Sequence, residues 1–396
     1  MVTLFDVARL AGVSTATVSR VVHGQDRVRE ATRIRVQQAI EELGYVPDGA
    51  AQSLSRRRKD VIGLVCVERH EQQYDIENMN LLFYDEVLRG VESRIRNHDW
   101  SLLITFLQGA HDPSYARIES FTGKVDGILI GEGIVPTPFI ERLATRVPVV
   151  IFAGTPHEKA VDVVTADNLS GTVAIVTHLI RDHGRRRLFW VHGPADSPDS
   201  RERRLGLDHV LRANPQSELV GFYQGYYSVQ SGEEAGQALL ALPRQDLPDA
   251  VVSANDQMAI GVVKALAREG IRVPEDIAVV GFDDIFPGSL CDPPLTTIHQ
   301  PMRLLGERAC ARLLDRIADP SLRPATELLP TELVLRSSCG CPPGTVLRQP
   351  VPTLKFPRSE ITGAAGLSPT SPATPPSPAP SSPRPGRRPA RQAAKA

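Results

Sequence analysis

The sequence predicts a chain of three parts: a small all-α headpiece, a two-lobed α/β core with parallel, doubly wound sheets, and a disordered tail rich in Pro and Arg. Three observations predict this organisation. Apolar residues near the N-terminus recur at helical spacing, with capping residues between them. Short apolar runs then alternate with helices of about a dozen residues. Beyond residue 341, large apolar residues become rare and prolines multiply.

The headpiece is predicted over residues 1–47, and its first run is 3–24 (TLFDVARLAGVSTATVSRVVHG). Thr3 and Asp6 stand at capping-box spacing, and Gly12 suits a turn with positive φ between two helices. Ser14 is a good N-cap for the second helix. The expected inward-facing residues are Val7, Ala8, Ala11, Val18, Val21 and Val22. The pattern is typical of a DNA-reading helix-turn-helix, although a three-helix bundle that only packs would share it.

The core is predicted over residues 61–341, where strands and helices alternate as in a parallel sheet. The expected strands are 61–67, 101–106, 125–130, 147–152, 187–191, 250–253 and 277–281. The expected helices are 85–97, 170–181, 203–211 and 257–268. The alternation repeats after residue 163, so we expect two lobes with a cleft between them.

The tail is predicted over residues 342–396, which contain fourteen of the 33 prolines. Such a composition cannot bury enough apolar surface to order itself. The tail carries a balance of +7 and residues 1–60 carry +3, whereas the whole chain carries −1, so the middle is acidic. A basic head and tail on an acidic body predict that only the ends face phosphate.

Two compositional features bear on the compartment. The five cysteines have no disulfide-framework spacing, which favours a reducing cytoplasm. No apolar run approaches the length of a membrane span, and the N-terminus lacks the layout of a secretory signal. We therefore expect a cytoplasmic protein with no membrane contact, unlike exported solute-binding proteins.

The headpiece and its continuation 28–47 (VREATRIRVQQAIEELGYVP) resemble the lactose-repressor (LacI/GalR) family of bacterial transcription regulators. The runs 254–261 (ANDQMAIG), 279–284 (VVGFDD) and 294–300 (PLTTIHQ) resemble the effector-binding core of that family. The resemblance extends from about residue 3 to about residue 338. It implies a hinge helix and basic linker over residues 48–60, followed by a periplasmic-binding-protein-like core. In that fold the chain crosses between the lobes more than once, so we expect residues 294–317 to return to the first lobe.

The resemblance also implies which residues contact DNA. Thr15, Ala16 and Arg20 would face base edges, and Arg20 could form a bidentate pair with guanine, worth about 1–3 kcal/mol of discrimination. Residues suited to phosphate contacts are Thr3, Ser14, Thr17, Ser19 and His23. Thr17 and Ser19 fit an ordinary helix equally well. His23 replaces the usual Asn, and Arg29 replaces the usual cap of the third helix.

Leu54, in the run 51–54 (AQSL), would be inserted as a wedge into the minor groove by a hinge helix spanning residues 48–54. Packing of Leu54 against the core is the alternative. The implied partners are pseudo-palindromic double-stranded operator DNA, a second copy of the chain in a homodimer, and a small hydroxylated effector, most often a sugar. The implied effector ligands are Arg203, Tyr227, Asn255, Asp283 and Gln300. Each alone could be a loop cap or a surface hydrogen bond.

Two other classes remain as alternatives: an enzyme, or a solute-binding protein, of the same fold with a degenerate headpiece. Asp283 and Asp284 could form an acid–base pair, but adjacent residues at a strand end point to opposite sides. No phosphate-binding glycine loop follows the first strand. The run Cys339-Gly-Cys341 lacks the second pair of a structural zinc site, so it is expected to end the last strand. The sequence thus predicts a ligand-modulated repressor with no catalytic residues, cofactor or metal.

Overall fold

The computed structural model describes residues 2–22, 28–45, 58–68, 81–96, 98, 100–108, 115–131, 135–154 and 161–354. Several predicted features lie outside these ranges: His23, the hinge segment 48–54 with Leu54, and residues 355–396 of the tail. Across the described ranges, none of the helices combines the length and the apolar character that crossing a bilayer would need.

The headpiece forms three helices, α1 (Leu4–Ala11), α2 (Thr15–Val22) and α3 (Glu30–Leu43). The predicted capping box is present, because Thr3 Oγ1 accepts from the backbone N–H of Asp6 and the Asp6 carboxylate accepts from the backbone of Thr3. Gly12 adopts φ 63° and ends α1. Ser14 Oγ accepts from the Thr17 N–H at 3.2 Å, as an N-cap of α2 should. Arg29 precedes α3 without a side-chain cap, as its sequence suggested.

The three helices share a small apolar core of their own. Its buried members are Val7, Ala8, Ala11, Val18, Val21, Val36 and Ala39. Five of the six predicted inward-facing residues are in this set, and the sixth, Val22, packs against it partly buried. The spacing of small apolar residues therefore predicted the packing of the headpiece correctly.

The first lobe of the core is built on a six-stranded parallel sheet in the order β11-β5-β4-β3-β1-β2. Its strands are β1 (Val61–Glu68), β2 (Ser101–Gln108), β3 (Gly127–Gly131), β4 (Val149–Phe152), β5 (Asp162–Ala166) and β11 (Thr326–Leu329). Its helices are α4 (Leu81–Ile95), α5 (Tyr115–Phe121) and α6 (Thr137–Ala144). Fully buried branched residues such as Ile128, Leu129 and Ile130 fill both faces of the sheet, as a parallel sheet covered by helices requires.

The second lobe contains a four-stranded parallel sheet in the order β7-β6-β8-β9. Its strands are β6 (Arg187–His192), β7 (Glu218–Gln224), β8 (Ala250–Ser253) and β9 (Ala278–Val280). Its helices are α7 (Asn168–Arg181), α8 (Pro198–Ala213), α9 (Val229–Leu240), α10 (Asp256–Arg268) and α11 (Phe286–Ser289). Helix α8 begins five residues before the predicted start, because Ser197 caps it and accepts from the Ser200 N–H.

The chain returns to the first lobe as expected. After β10 (Thr297–His299), helix α12 (Met302–Ala318) packs against α4 and against strands of the first-lobe sheet. The two helices approach so closely that a Cβ on Gly306 would lie 2.0 Å from the carbonyl oxygen of Val87. A larger residue at this position would force the helices apart.

The core is longer than predicted, because it extends past residue 341. Strand β10 pairs antiparallel with β12 (Glu332–Leu335), and β12 pairs with β13 (Leu347–Pro350). Val351 is buried, and the Leu354 N–H donates to Ser170 Oγ at 2.9 Å. The predicted boundary at 341 was wrong because composition did not reveal that residues 347–350 add a strand to an existing sheet edge.

Candidate functional sites

The two lobes enclose a cleft whose open volume, counted with its mouth, is about 560 Å³. Four of the five residues predicted to hold an effector line this cleft: Arg203, Tyr227, Asn255 and Asp283. The remaining lining residues are Phe83, Tyr84, Gly131, Phe152, Ala153, Ser197, Pro198 and Asp199. The cleft therefore has walls from both lobes, at the carboxyl ends of parallel strands, where such sheets bind ligands.

The guanidinium of Arg203 is held from behind by three acceptors. Its Nε donates to Asn168 Oδ1 at 2.9 Å, Nη1 to the backbone oxygen of Ala254, and Nη2 to Gln300 Oε1 at 2.7 Å. The group also stacks on the Phe282 ring, 3.8 Å from its centroid. Gln300 is buried behind Arg203 and contacts the guanidinium, and it is not among the residues that line the cleft.

Asp283 faces the cleft beside this arginine, with Oδ1 3.5 Å from Arg203 Nη1. Burial raises the pKa of Asp283 well above its usual value, and Arg203 only partly opposes that rise. Its φ is 125°, a conformation that non-glycine residues rarely adopt and that is typically retained where a side chain must point at a ligand.

Asp284 turns the other way, as predicted for the adjacent residue. Its carboxylate accepts from Arg336 and Arg348, each at 2.6 Å, and contacts His299 Nδ1 at 3.2 Å. Burial works against ionisation, but these donors hold the pKa of Asp284 below its usual value. The two acids do not share a substrate position, and Arg348 ties the unexpected strand β13 to the core.

Asn255 and Tyr227 serve the fold as well as the cleft. Asn255 Oδ1 caps α10 by accepting from the Met258 N–H at 3.0 Å, and its Nδ2 donates to the backbone oxygen of Tyr227 at 3.4 Å. Tyr227 Oη lies 3.0 Å from Ser197 Oγ, and its ring lies directly against Gly193. A Cβ on Gly193 would come within 2.2 Å of that ring. Glycine at this position makes room for the aromatic wall.

A second polar layer, which the sequence interpretation missed, surrounds Asn168. Asn168 Nδ2 donates to Asp199 Oδ1 at 2.9 Å and to Glu202 Oε2 at 3.3 Å. Burial, and then the charge on Asp199, raise the pKa of Glu202 to about 8. Asn168 thus links Arg203 to two carboxyl groups. Its place as the first residue of α7 gave no signal of this role.

The first lobe contributes an aromatic wall that was also missed. The ring of Tyr84 lies edge-on to those of Phe83 and Phe152, with centroids 5.4 and 6.5 Å away. Phe83 and Tyr84 are the third and fourth residues of α4, and Phe152 ends β4. They face Tyr227 only because the two lobes come together in the folded chain. A local sequence pattern does not predict contacts between lobes.

The second helix of the headpiece presents the predicted DNA-facing side chains. Ala16 and Arg20 are exposed, whereas Thr15, Thr17 and Ser19 are half-buried. Ser14 Oγ and Thr17 Oγ1 lie 2.9 Å apart, and the Thr3 hydroxyl donates to Asp6 at 2.6 Å. Arg20 therefore has the longest reach from this face.

A helix-turn-helix headpiece on a two-lobed core with a polar cleft defines a DNA-binding regulator with a ligand-binding domain. Comparison with known families agrees. Residues 3–48 match the lacI family of bacterial regulatory proteins, and residues 176–339 match a periplasmic binding protein-like domain. The chain belongs to the lacI family, and it is a transcriptional regulator and not an enzyme.

Individual relatives cover most of the chain. The ribose operon repressor of Escherichia coli (strain K12) is 35% identical over 82% of this chain and 95% of its own length. A crystal structure of the lac repressor dimer bound to operator and the anti-inducer ONPF has a TM-score of 0.74 and 30% identity, covering 85% of this chain and 99% of that one. A CelR–cellobiose complex has a TM-score of 0.62 and 33% identity, covering 85% and 100%.

Proposed function

We propose that this protein is a sequence-specific repressor whose affinity for operator DNA is lowered by a small hydroxylated ligand, a sugar, bound in the cleft. The observation that carries the proposal is the pairing of Arg203 with Asp283 on one wall of the cleft, opposite the aromatic wall of Tyr84 and Phe152. The relatives named for ribose and cellobiose support the choice of sugar.

The polar wall suits neighbouring hydroxyl groups. Three acceptors fix the Arg203 guanidinium, so it can donate to a hydroxyl oxygen without losing side-chain freedom on binding. The Asp283 carboxylate beside it accepts from the hydrogen of the same or the next hydroxyl. Aromatic rings cover the apolar faces of a sugar ring from both sides of the cleft. Tyr84 and Phe152 lie in the first lobe, and Tyr227 lies in the second.

The proposed DNA contacts are those that the family resemblance implies. Arg20 reads guanine, with Thr15 and Ala16 beside it. The phosphate contacts are Thr3, Ser14, Thr17, Ser19 and His23, and the minor-groove wedge is Leu54. The exposure of Ala16 and Arg20 supports this assignment, and His23 and Leu54 lie outside the described residues.

The functional unit is proposed to be a cytoplasmic homodimer that binds a pseudo-palindromic operator. Edge strand β2 exposes Ile104 and Phe106, and Leu82 is exposed beside them. An apolar strip of this kind on a sheet edge favours association with a second copy. The lac repressor structure is likewise described as a dimer on operator.

The ligand is proposed to act by changing the angle between the lobes, which separates two hinge helices and withdraws the Leu54 wedges. Coupling of this kind is typically about 1–3 kcal/mol. The opposite sense, in which ligand is required for DNA binding, would appear as tighter operator binding in the same measurement.

Calorimetric titration of a sugar panel tests the cleft assignment. We expect at least one pentose or hexose to bind the wild type, and Asp283→Asn to weaken that sugar at least tenfold, because the amide lacks the negative charge and offers one acceptor oxygen in place of two. Asp276→Asn, which alters an exposed ion pair with Arg272, is the matched control and should bind like the wild type. Equal affinity in all three proteins would overturn the assignment.

Operator selectivity tests the headpiece assignment. Arg20→Ala should lose about 1–3 kcal/mol of preference for the cognate guanine while sugar binding stays unchanged. Fluorescence anisotropy with matched and single-substituted operators measures the preference, and calorimetric titration measures the sugar affinity. Unchanged selectivity in this variant would mean that the exposed face of α2 does not read bases.

A further inference from the structure

Four side chains that could ligate a metal converge far from the cleft. His178 lies in the last turn of α7 and His183 just beyond its end, whereas Cys339 and Cys341 follow strand β12. The two segments are about 160 residues apart in the chain. All four potential ligand atoms lie within 4.8 Å of one another. The fold thus supplies the second pair of ligands that the sequence around Cys339 lacked.

Four of the six distances within this cluster match the edges of a coordination tetrahedron. The Nε2 atoms of His178 and His183 are 3.1 Å apart. Cys339 Sγ lies 3.5 Å from His178 Nε2, and Cys341 Sγ lies 3.7 and 3.5 Å from the two histidine nitrogens. Zinc–ligand bonds of about 2.0–2.1 Å to nitrogen and about 2.3 Å to sulfur give edges of about 3.3 Å between nitrogens and about 3.6 Å between nitrogen and sulfur.

We propose that His178, His183, Cys339 and Cys341 form a structural zinc site. The donor set is two imidazoles and two thiolates in tetrahedral arrangement, which zinc prefers among common biological cations. Four protein ligands leave no open coordination position for a substrate, so the ion holds the fold and performs no chemistry. It ties the C-terminal end of α7 to the segment that leads into strand β13.

The residues around the cluster orient it for metal binding. Asp182 Oδ2 lies 2.6 Å from His178 Nδ1, which leaves Nε2 directed at the thiols, as in the carboxylate–histidine–metal arrangement. The Thr296 hydroxyl lies 3.1 Å from Cys339 Sγ and 2.8 Å from the backbone oxygen of Arg336, and its one hydrogen is available to either acceptor. Gly340 adopts φ 115°, and a Cβ there would come within 3.0 Å of the His183 ring. Glycine between the cysteines therefore lets the histidine reach the site.

The decisive measurement is the metal content of the full-length protein, produced without a histidine tag. Elemental analysis by mass spectrometry should find about one zinc per chain after dialysis. Exchange with Co²⁺ should give the visible bands of tetrahedral cobalt together with thiolate-to-cobalt charge transfer. Adding a strong chelator should remove the ion and lower the Tm by several degrees.

Two variants and one control locate the ion. Cys341→Ser and His183→Asn should each weaken zinc at least 100-fold in competition with a chromophoric chelator, and their Tm should no longer respond to chelator. Cys291→Ser removes a partly buried thiol outside the cluster and should keep one tight zinc. If one variant fails to fold, the other still decides, because each removes a single ligand.

Three results would overturn the proposal. The first is a wild type that holds no zinc after reconstitution and shows no tetrahedral cobalt spectrum. The second is equal zinc affinity in the wild type and in both cluster variants, which would place the ion elsewhere. The third is a wild type without metal in which mass spectrometry finds Cys339 and Cys341 joined by a disulfide, which would make the cluster a redox pair.

Discussion

Helix α7 has a polar cluster at each end, and the two clusters differ in where their polar atoms point. At its first residue, Asn168 binds Arg203 and two carboxyl groups beside an open cleft. In its last turn, about 15 Å along the axis, His178 points at two thiols and a second imidazole. The first cluster leaves donors and acceptors directed at a space between lobes. In the second, the four ligand atoms converge within 4.8 Å of one another.

This difference separates a site for an exchangeable ligand from a site for a permanent ion. A cleft with walls from two lobes can open and close, so its occupant can enter and leave and can bias the angle between the lobes. The second cluster takes all four ligand atoms from one lobe, so its occupant stabilises that lobe whether or not a sugar is bound. Variants at the two ends of α7 should therefore affect different properties.

The largest expected effect follows loss of the Arg203 guanidinium. Arg203→Met leaves Asp283 and the side chains of Asn168 and Gln300 without their buried partner, which typically costs about 3–5 kcal/mol. Urea unfolding of the variant measures the free energy of unfolding, and its zinc content should be unchanged. Arg272→Met, at an exposed ion pair, should unfold like the wild type. A stable Arg203→Met variant would contradict the account of this site.

Asn168→Ala comes next, because it removes the link between Arg203 and the two acids. Leaving buried polar groups unpaired lowers the free energy of unfolding by about 1–3 kcal/mol. Sugar binding should also weaken, because Asn168 no longer fixes the orientation of the Arg203 guanidinium. The reciprocal variant, His178→Gln, should lose zinc and keep sugar affinity. Calorimetry and metal analysis on both proteins complete the comparison. Loss of both properties in either variant would show that the two ends of α7 are not independent.

A smaller effect is expected from Gly193→Ala. The new methyl group would overlap the Tyr227 ring and displace it from the cleft wall. We expect sugar affinity to fall roughly tenfold, or about 1.4 kcal/mol, with little change in zinc content. Gly123→Ala is the matched control, since its methyl would have no neighbour nearer than 3.9 Å. Unchanged affinity would remove Tyr227 from the site.

The smallest effect is on pH dependence. Burial raises the pKa of Asp283 in the folded, ligand-free protein. The folded state therefore binds this proton more tightly than the unfolded chain does, and the resulting contribution to folding stability is lost as pH rises through the raised pKa. Sugar hydroxyls donate to the ionised form, so affinity should increase over the same range. Titrations at several pH values should show the trend in the wild type and a flat profile in Asp283→Asn. Tighter binding at acidic pH would reverse the assigned role.

The sequence predicted the parts of the molecule that depend on local spacing. The capping box of Thr3 and Asp6, the turn at Gly12 and the opposed directions of Asp283 and Asp284 are confirmed. Four of the five predicted cleft residues line the cleft. Gln300 supports Arg203 from behind, because the chain crosses between lobes just before α12.

What the sequence missed depends on segments that meet only in the folded chain. The aromatic wall of Phe83, Tyr84 and Phe152 requires the lobes to come together. Strand β13 required an available edge on β12, which composition does not report. The pair His178 and His183 became informative only beside Cys339 and Cys341. The signal available in the sequence was two short pairs of potential metal ligands about 160 residues apart, one of histidines and one of cysteines.

Selection of operator sequences from a random DNA pool with the purified full-length protein, repeated with each member of a sugar panel, tests the central claim most directly. We expect enrichment of a pseudo-palindrome with a flexible pyrimidine–purine step at its centre, and we expect one sugar to weaken its binding. That sugar should have no effect on operator binding by Asp283→Asn. A protein that enriches no sequence, or an operator complex that no sugar alters, would contradict the claim of a sugar-responsive repressor.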